Sequence, residues 1–216
     1  MSKTIYNKYE KKNIPDLPLA QFEGRIIVVL SAKETERVVR YLLSQPILGF
    51  DTETKPSFKR GDQHKVSLLQ VATTDTCFLF RLNHTGLTPA IINLLEDTKV
   101  LKIGLSWHDD INALQKLGRF KPGRFIDIQQ HVADIGIEDM SLQKIYANLF
   151  GQRISKRQQL SNWEADILND KQKIYAATDA WACIRIYEEI LRLQQTKDYN
   201  MVITDDNHED NKTEER

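Results

Sequence analysis

The sequence predicts an α/β domain built on a mixed β-sheet flanked by helices. Three observations carry this. Apolar, β-branched runs of strand length occupy residues 47–53, 66–72 and 77–80, with no helical pattern between them, so the sheet starts antiparallel. Strand and helix patterns then alternate from residue 89 onward, which is the signature of helices packed on a sheet. The 216 residues, 41% hydrophobic, suffice for one sizeable core.

Taken in order, residues 1–24 mix charge with Pro15 and Pro18 and are expected to form an extended N-terminal arm. The body, residues 25–196, opens with a buried strand at 25–30 and a helix at 33–44 that Pro46 terminates. The central strand 47–53 follows, then strands 66–72 and 77–80 joined by the polar turn 73–76. A helix at 89–97, a strand at 100–104, a helix at 107–117 stopped by Gly118 and a short apolar run at 125–128 come next. The remainder reads as helical around a polar, basic loop at 151–161, and Asp170 is the expected N-cap of the last helix. Residues 197–216 read as an acidic tail too poor in apolar side chains to pack.

Formal net charge is zero, but its distribution is uneven. Asp205, Asp206, Glu209, Asp210, Glu214 and Glu215 crowd the tail against only Lys212 and Arg216, leaving the remainder basic. Such a tail solubilises the chain or contacts a protein partner. Cys77 and Cys183 lie in apolar surroundings and read as reduced packing residues. No apolar run reaches membrane-span length and no signal-peptide pattern opens the chain, so no membrane role and a cytoplasmic location are expected. Neither glycine-rich phosphate loop occurs, which disfavours a dinucleotide or P-loop nucleotide site.

Chemistry is concentrated in carboxylates. Asp51 and Glu53 close the apolar run Ile47-Leu48-Gly49-Phe50 and, two apart on a strand, point to one face. Two converging anions at a buried strand end need a divalent cation, a basic neighbour or shared protonation. Oxygen ligands favour Mg2+ or Mn2+ over zinc. Tyr175 and Asp179, four apart, share one side of a largely buried helix that is rich in Ala176, Ala180 and Ala182. The alternative there is a local tyrosine-to-aspartate hydrogen bond. Asp109 and Asp110 follow Trp107-His108 at a strand-to-helix junction, where a helix dipole alone also favours acids. Each feature by itself has such a structural reading.

The ordered set is more specific. Gly49-Phe50-Asp51-Thr52-Glu53, Lys65-Val66-Ser67-Leu68-Leu69-Gln70, Lys102-Ile103-Gly104 leading to Asp110, Ser161-Asn162-Trp163, and Tyr175-Ala176-Ala177-Thr178-Asp179-Ala180 together resemble the DEDD 3′-5′ exonucleases. This is the family of ribonuclease D and the polymerase I proofreading domain, and the likeness is strongest to exonuclease domains of the Werner helicase type. It spans about residues 25–194 and implies a ribonuclease H-like fold. Ile174 stands where one branch has histidine, and Tyr175 where the other has tyrosine, so the chain resembles the tyrosine branch. The resemblance implies catalytic Asp51, Glu53, Asp110, Tyr175 and Asp179, with Asp109 the alternative to Asp110. It implies two ions, one on Asp51, Glu53 and Asp179, the other on Asp51 and Asp110, and a nucleic acid with a free 3′ end as substrate, DNA rather than RNA. Lys55, Lys59, Arg60 and Lys65 after the first acidic pair, and Lys156 and Arg157 beside Arg153, are the candidate phosphate contacts, with Phe58 able to stack on a base. The competing reading is a catalytically weak nucleic-acid-binding module of the same fold.

Overall fold

The computed structural model describes residues 2–59 and 61–204. The chain opens with β1 (Lys3–Tyr6) and a 3-10 turn at Lys11–Asn13 before the central sheet begins. That sheet consists of β2 (Arg25–Val29), β3 (Ile47–Thr54), β4 (Val66–Ala72), β5 (Thr76–Arg81), β6 (Leu101–Gly104) and β7 (Phe125–Asp127), in spatial order β2-β5-β4-β3-β6-β7. β3, β4 and β5 form the expected antiparallel meander, whereas β6, β7 and β2 pair in parallel with β3, β6 and β5. β3 is therefore central, with one antiparallel and one parallel neighbour.

The two faces are covered differently. Leu48, Phe50, Leu69, Val71, Phe78 and Phe80 point to one face and pack against α1 (Ala32–Leu42), α3 (Pro89–Glu96) and α4 (Trp107–Gln115). A short helix, α2 (Leu82–Thr85), follows β5. The other face takes α5 (Ile128–Ala133), α6 (Leu142–Phe150) and above all α7 (Asp170–Thr196), whose alanines 176, 177 and 180 lie on Leu68, Ala72 and Leu79. α7 is buried along more than one side, as its pattern predicts.

The structure corrects four expectations. The 25–30 segment is a strand but not a buried one: β2 is the sheet edge, and only Val29 is fully buried. The N-cap of α7 is Asn169 rather than Asp170, because Asn169 and Gln172 close a reciprocal capping box. The arm and tail boundaries also move. β1 pairs in parallel with β8 (Tyr199–Val202), with Ile5 fully buried, so part of each terminal segment joins the packed structure. Their buried side chains are few, but pairing satisfies backbone groups that composition does not reveal. Tail residues 205–216 lie outside the described residues. Cys77 and Cys183 are buried and free, as expected, and among the described residues no helix is long and apolar enough to cross a membrane.

Candidate active site

Strand alternation sets the first half of the site. Gly49, Asp51 and Glu53 face α7, while Phe50 and Thr52 point the other way. Pairing with β4 shifts register between Glu53 and Thr54, so Glu53 stands where the regular ladder ends.

Gly49 brings the second half into place. A Cβ there would collide with the carbonyl oxygen of Ala180, so the absence of a side chain lets the α7 backbone lie directly on β3. Asp179, one residue earlier, thereby meets the strand-end pair. Ligand oxygens of Asp51, Glu53 and Asp179 all lie within 4.8 Å of one another. Tyr175, one turn earlier on α7, stands on the same side of the helix, where its hydroxyl lowers the Asp179 pKa, and its ring centroid is 5.9 Å from that of Trp163.

The fourth carboxylate comes from the opposite face. Gly104 ends β6 against Trp107, Ser106 adopts a left-handed conformation, and α4 begins. Thr52 donates its hydroxyl to Asp110 at 2.5 Å. Asp109 is exposed and accepts from the Ser106 hydroxyl at 3.4 Å. The charge of Asp110 is felt at Asp51 and Glu53, so the structure brings Asp110, not Asp109, to the cluster.

Four anions in a desolvated corner perturb one another. Burial first, then Asp110, Asp179 and Glu53, raises the Asp51 pKa well above the carboxylate range. Glu53 is pushed to about 9 by burial and then by Asp179 and Asp110. Burial raises Asp179 to about 7, opposed by the Tyr175 hydroxyl and by the charge of Lys156. Asp110 rises to about 6, again chiefly through burial, with the Thr52 hydrogen bond opposing it. Among the described residues no lysine or arginine forms an ion pair with any of the four. An all-oxygen donor set with strongly disfavoured negative charge fits hard divalent cations, Mg2+ or Mn2+. Asp51, Glu53 and Asp179 would hold one, and Asp110 stands beside Asp51.

The basic residues divide. Lys156 reaches Asp179 electrostatically, and Arg157 lines a cavity of about 280 Å³ beside Tyr175 together with Arg153, Lys171, Gln21 and Ser155. Lys55 is instead paired with Glu164 at 3.3 Å, and the same carboxylate meets His64 Nδ1 at 2.7 Å. This pairing was missed because Glu164 lies far away in sequence. Lys59 and Lys65 are exposed, and Phe58 is 79% exposed in their loop. Arg60 lies outside the described residues. Thr52 was also overlooked: its position between two acids hid that it points to the other face, where Asp110 waits. Only the helical spacing Lys171-Ile174-Tyr175-Thr178 links Lys171 to Tyr175 in the sequence.

Comparison with known proteins bears on the family and the fold. The family model for 3′-5′ exonuclease matches residues 26–195. The chain is 28% identical over 192 residues to the mouse bifunctional 3′-5′ exonuclease/ATP-dependent helicase WRN, covering 84% of this chain and 14% of that protein. It is 26% identical over 215 residues to a 3′-5′ exonuclease of Arabidopsis thaliana, covering 87% of this chain and 71% of that one. A Drosophila melanogaster exonuclease 3′-5′ domain-containing protein 2 is 32% identical over 157 residues, which are 71% of this chain and 27% of that protein. The chain thus spans only a small part of two of these three relatives. In structure it is similar to the Aedes aegypti Nibbler EXO domain (TM-score 0.74, 24% identity, 85% of this chain and 94% of that one). It is also similar to Escherichia coli RNase D (TM-score 0.70, 18% identity, 80% of this chain and 45% of that one), and both likenesses support the α/β fold.

Proposed function

The chain belongs to the 3′-5′ exonuclease family, hydrolases of phosphodiester bonds, and on that premise we propose that Asp51, Glu53, Asp110, Tyr175 and Asp179 are its catalytic set and remove nucleotides from a nucleic-acid 3′ end. The observation that carries this is the convergence of Asp51, Glu53 and Asp179 within 4.8 Å, with Asp110 and Tyr175 beside them. Water attacks the terminal phosphorus, the bond to the preceding 3′ oxygen breaks, that oxygen takes a proton, and a nucleoside 5′-monophosphate leaves. Two divalent cations, when bound, would lower the pKa of the water and stabilise charge on the attacking and leaving oxygens.

The protein's own part is placement. Asp51, Glu53 and Asp179 fix the ligand oxygens on a central strand and a packed helix, elements that hold them rigidly. Tyr175 is half-buried, and desolvation first, then Asp179 and Glu53, raises its pKa above the usual phenol value. It therefore stays protonated and acts as a hydrogen-bond donor that orients Asp179 and the water, rather than as a free base. The cavity with Arg153, Arg157 and Lys171 carries cations and no carboxylate in its lining, which suits the phosphate backbone of the strand leading to the cut.

DNA is the substrate class we infer, on the likeness to the helicase-linked exonuclease. RNA is the second reading, favoured by the similarity to Trypanosoma brucei RNase D solved with RNA U12. A catalytically weak binding module is disfavoured because no carboxylate of the set is missing. Matched DNA and RNA strands with single-stranded, recessed and blunt 3′ ends, digested in Mg2+ and in Mn2+, test all three. A ladder shortening from the 3′ end that Asp51→Ala abolishes is expected. Internal cutting, or equal release by Asp51→Ala, would sink the assignment.

A further inference from the structure

Among the described residues, the buried side-chain nitrogen and oxygen atoms without a hydrogen-bond partner are three: Gln70 Nε2, Gln70 Oε1 and Trp163 Nε1. Both residues are fully buried. Leaving such groups unpaired costs about 1–3 kcal/mol each, so their coincidence in one region calls for a cause. Gln70 stands directly across from Asp51 in the β3–β4 register. Opposite residues of an antiparallel pair share a face, with Cβ atoms about 4.5–5.5 Å apart. The Gln70 side chain therefore lies on the α7 face beside Asp51, between Leu68 and Ala72 along its own strand and next to Leu79 across the sheet. α7 roofs this face with Ala176, Ala177 and Ala180, and Trp163 belongs to the same packed cluster.

We propose that Gln70 is a positioning residue for the carboxylate cluster: unpaired in the metal-free protein, its amide N–H turns to Asp51 when the cation binds and holds that carboxylate in the binding orientation, while its amide oxygen takes the Trp163 indole N–H. The inference rests on the metal-binding reading of Asp51. Its chemistry closes the account of all three atoms, since an amide supplies donor and acceptor together. Asp51 already receives the Thr52 backbone N–H on Oδ1 at 2.9 Å. A second donor from the neighbouring strand fixes the carboxylate plane that one hydrogen bond leaves free to turn. Partners of this kind commonly control metal affinity by about 10–100-fold when removed. An apolar residue would fill the same space under the alanine roof, so packing gives no reason for an amide.

The test separates positioning from packing. Gln70→Leu keeps the volume and removes two of the three unpaired atoms, so in EDTA its Tm should equal or exceed that of the parent, whereas Mn2+ binding, titrated by calorimetry without nucleic acid, should weaken at least tenfold. Trp163→Phe, which removes the indole N–H from the network, should weaken Mn2+ binding by a smaller factor. Unchanged Mn2+ affinity in Gln70→Leu, with Tm raised, equal or lowered, overturns the proposal and leaves Gln70 a structural residue. If Gln70→Leu does not fold, Gln70→Asn and Trp163→Phe decide, and unchanged affinity in both overturns it. Because no nucleic acid is present, Gln70-dependent Mn2+ binding in a parent that degrades nothing would support the proposal and sink only the exonuclease reading.

Discussion

Gly49 of β3 and Ala180 of α7 are in backbone contact: a single Cβ at Gly49 would occupy the space of the Ala180 carbonyl oxygen. The position is extended strand, so glycine is needed here for closeness and not for conformation. Asp51 lies two residues beyond Gly49 and Asp179 one before Ala180, so the same contact sets the separation of the carboxylates. Gly49→Ala should therefore cost about 1–3 kcal/mol of stability through overpacking and lower kcat by a larger factor than its residual folded fraction explains. Urea denaturation and steady-state nucleotide release on the same preparation measure the two effects. A variant that is destabilised but fully active would show that the carboxylates do not depend on this contact.

The four raised carboxylate pKa values predict how the metal-free protein responds to pH. Each acid releases its proton more readily in the unfolded chain than in the folded one, so between the two pKa values the folded state holds more protons and stability falls as pH rises. The decline starts near pH 4, where the unfolded groups titrate, and runs through about 6 for Asp110, about 7 for Asp179 and about 9 for Glu53. In EDTA, Tm should thus be lower at pH 8 than at pH 5, and added Mn2+ should recover it. Glu53→Gln should flatten the profile and raise Tm at pH 8 while abolishing activity. A Tm in EDTA that rises from pH 5 to pH 8 would contradict the repulsion.

Much of this was legible in the sequence because it is local. Strand alternation placed Asp51 and Glu53 on one face, and helical spacing placed Tyr175 with Asp179. The antiparallel meander followed from three strand patterns with no helix between them. What stayed hidden depends on distance in sequence. Nothing near Thr52 announces that it meets Asp110, nothing near Lys55 announces Glu164, and the pairing of β1 with β8 joins opposite ends of the chain. The Asp109 or Asp110 ambiguity had the same origin, since the helix face that turns toward β3 is decided by packing.

That packing makes the two acids experimentally unequal. Asp110 is held by Thr52 and lies near Asp51, whereas Asp109 is exposed beside Ser106. Asp110→Asn should reduce kcat by about 10²-fold or more, the scale of losing one preorganised electrostatic contact, and Asp109→Asn should remain within about twofold of the parent. Thr52→Val, isosteric but unable to donate, should fall between them. Activity lost in Asp109→Asn and kept in Asp110→Asn would reverse the assignment.

Tyr175 separates water positioning from base catalysis. Its hydroxyl acts on the charge of Asp179 while its ring packs against Trp163, so Tyr175→Phe keeps the packing and removes that hydroxyl. Burial and the neighbouring carboxylates hold the phenol protonated throughout the neutral range, which excludes a tyrosinate as the resting base. The variant should retain its Tm within a few degrees and its KM, and lose about 10²–10⁴-fold in kcat, the usual range for a positioned proton-handling group. Its pH–rate profile should keep the shape of the parent's below pH 10, because no limb in that range belongs to Tyr175. A parental profile whose basic limb disappears in Tyr175→Phe would instead identify the phenol as a group that ionises during turnover. The comparison is read from kcat against pH for both proteins in the same metal.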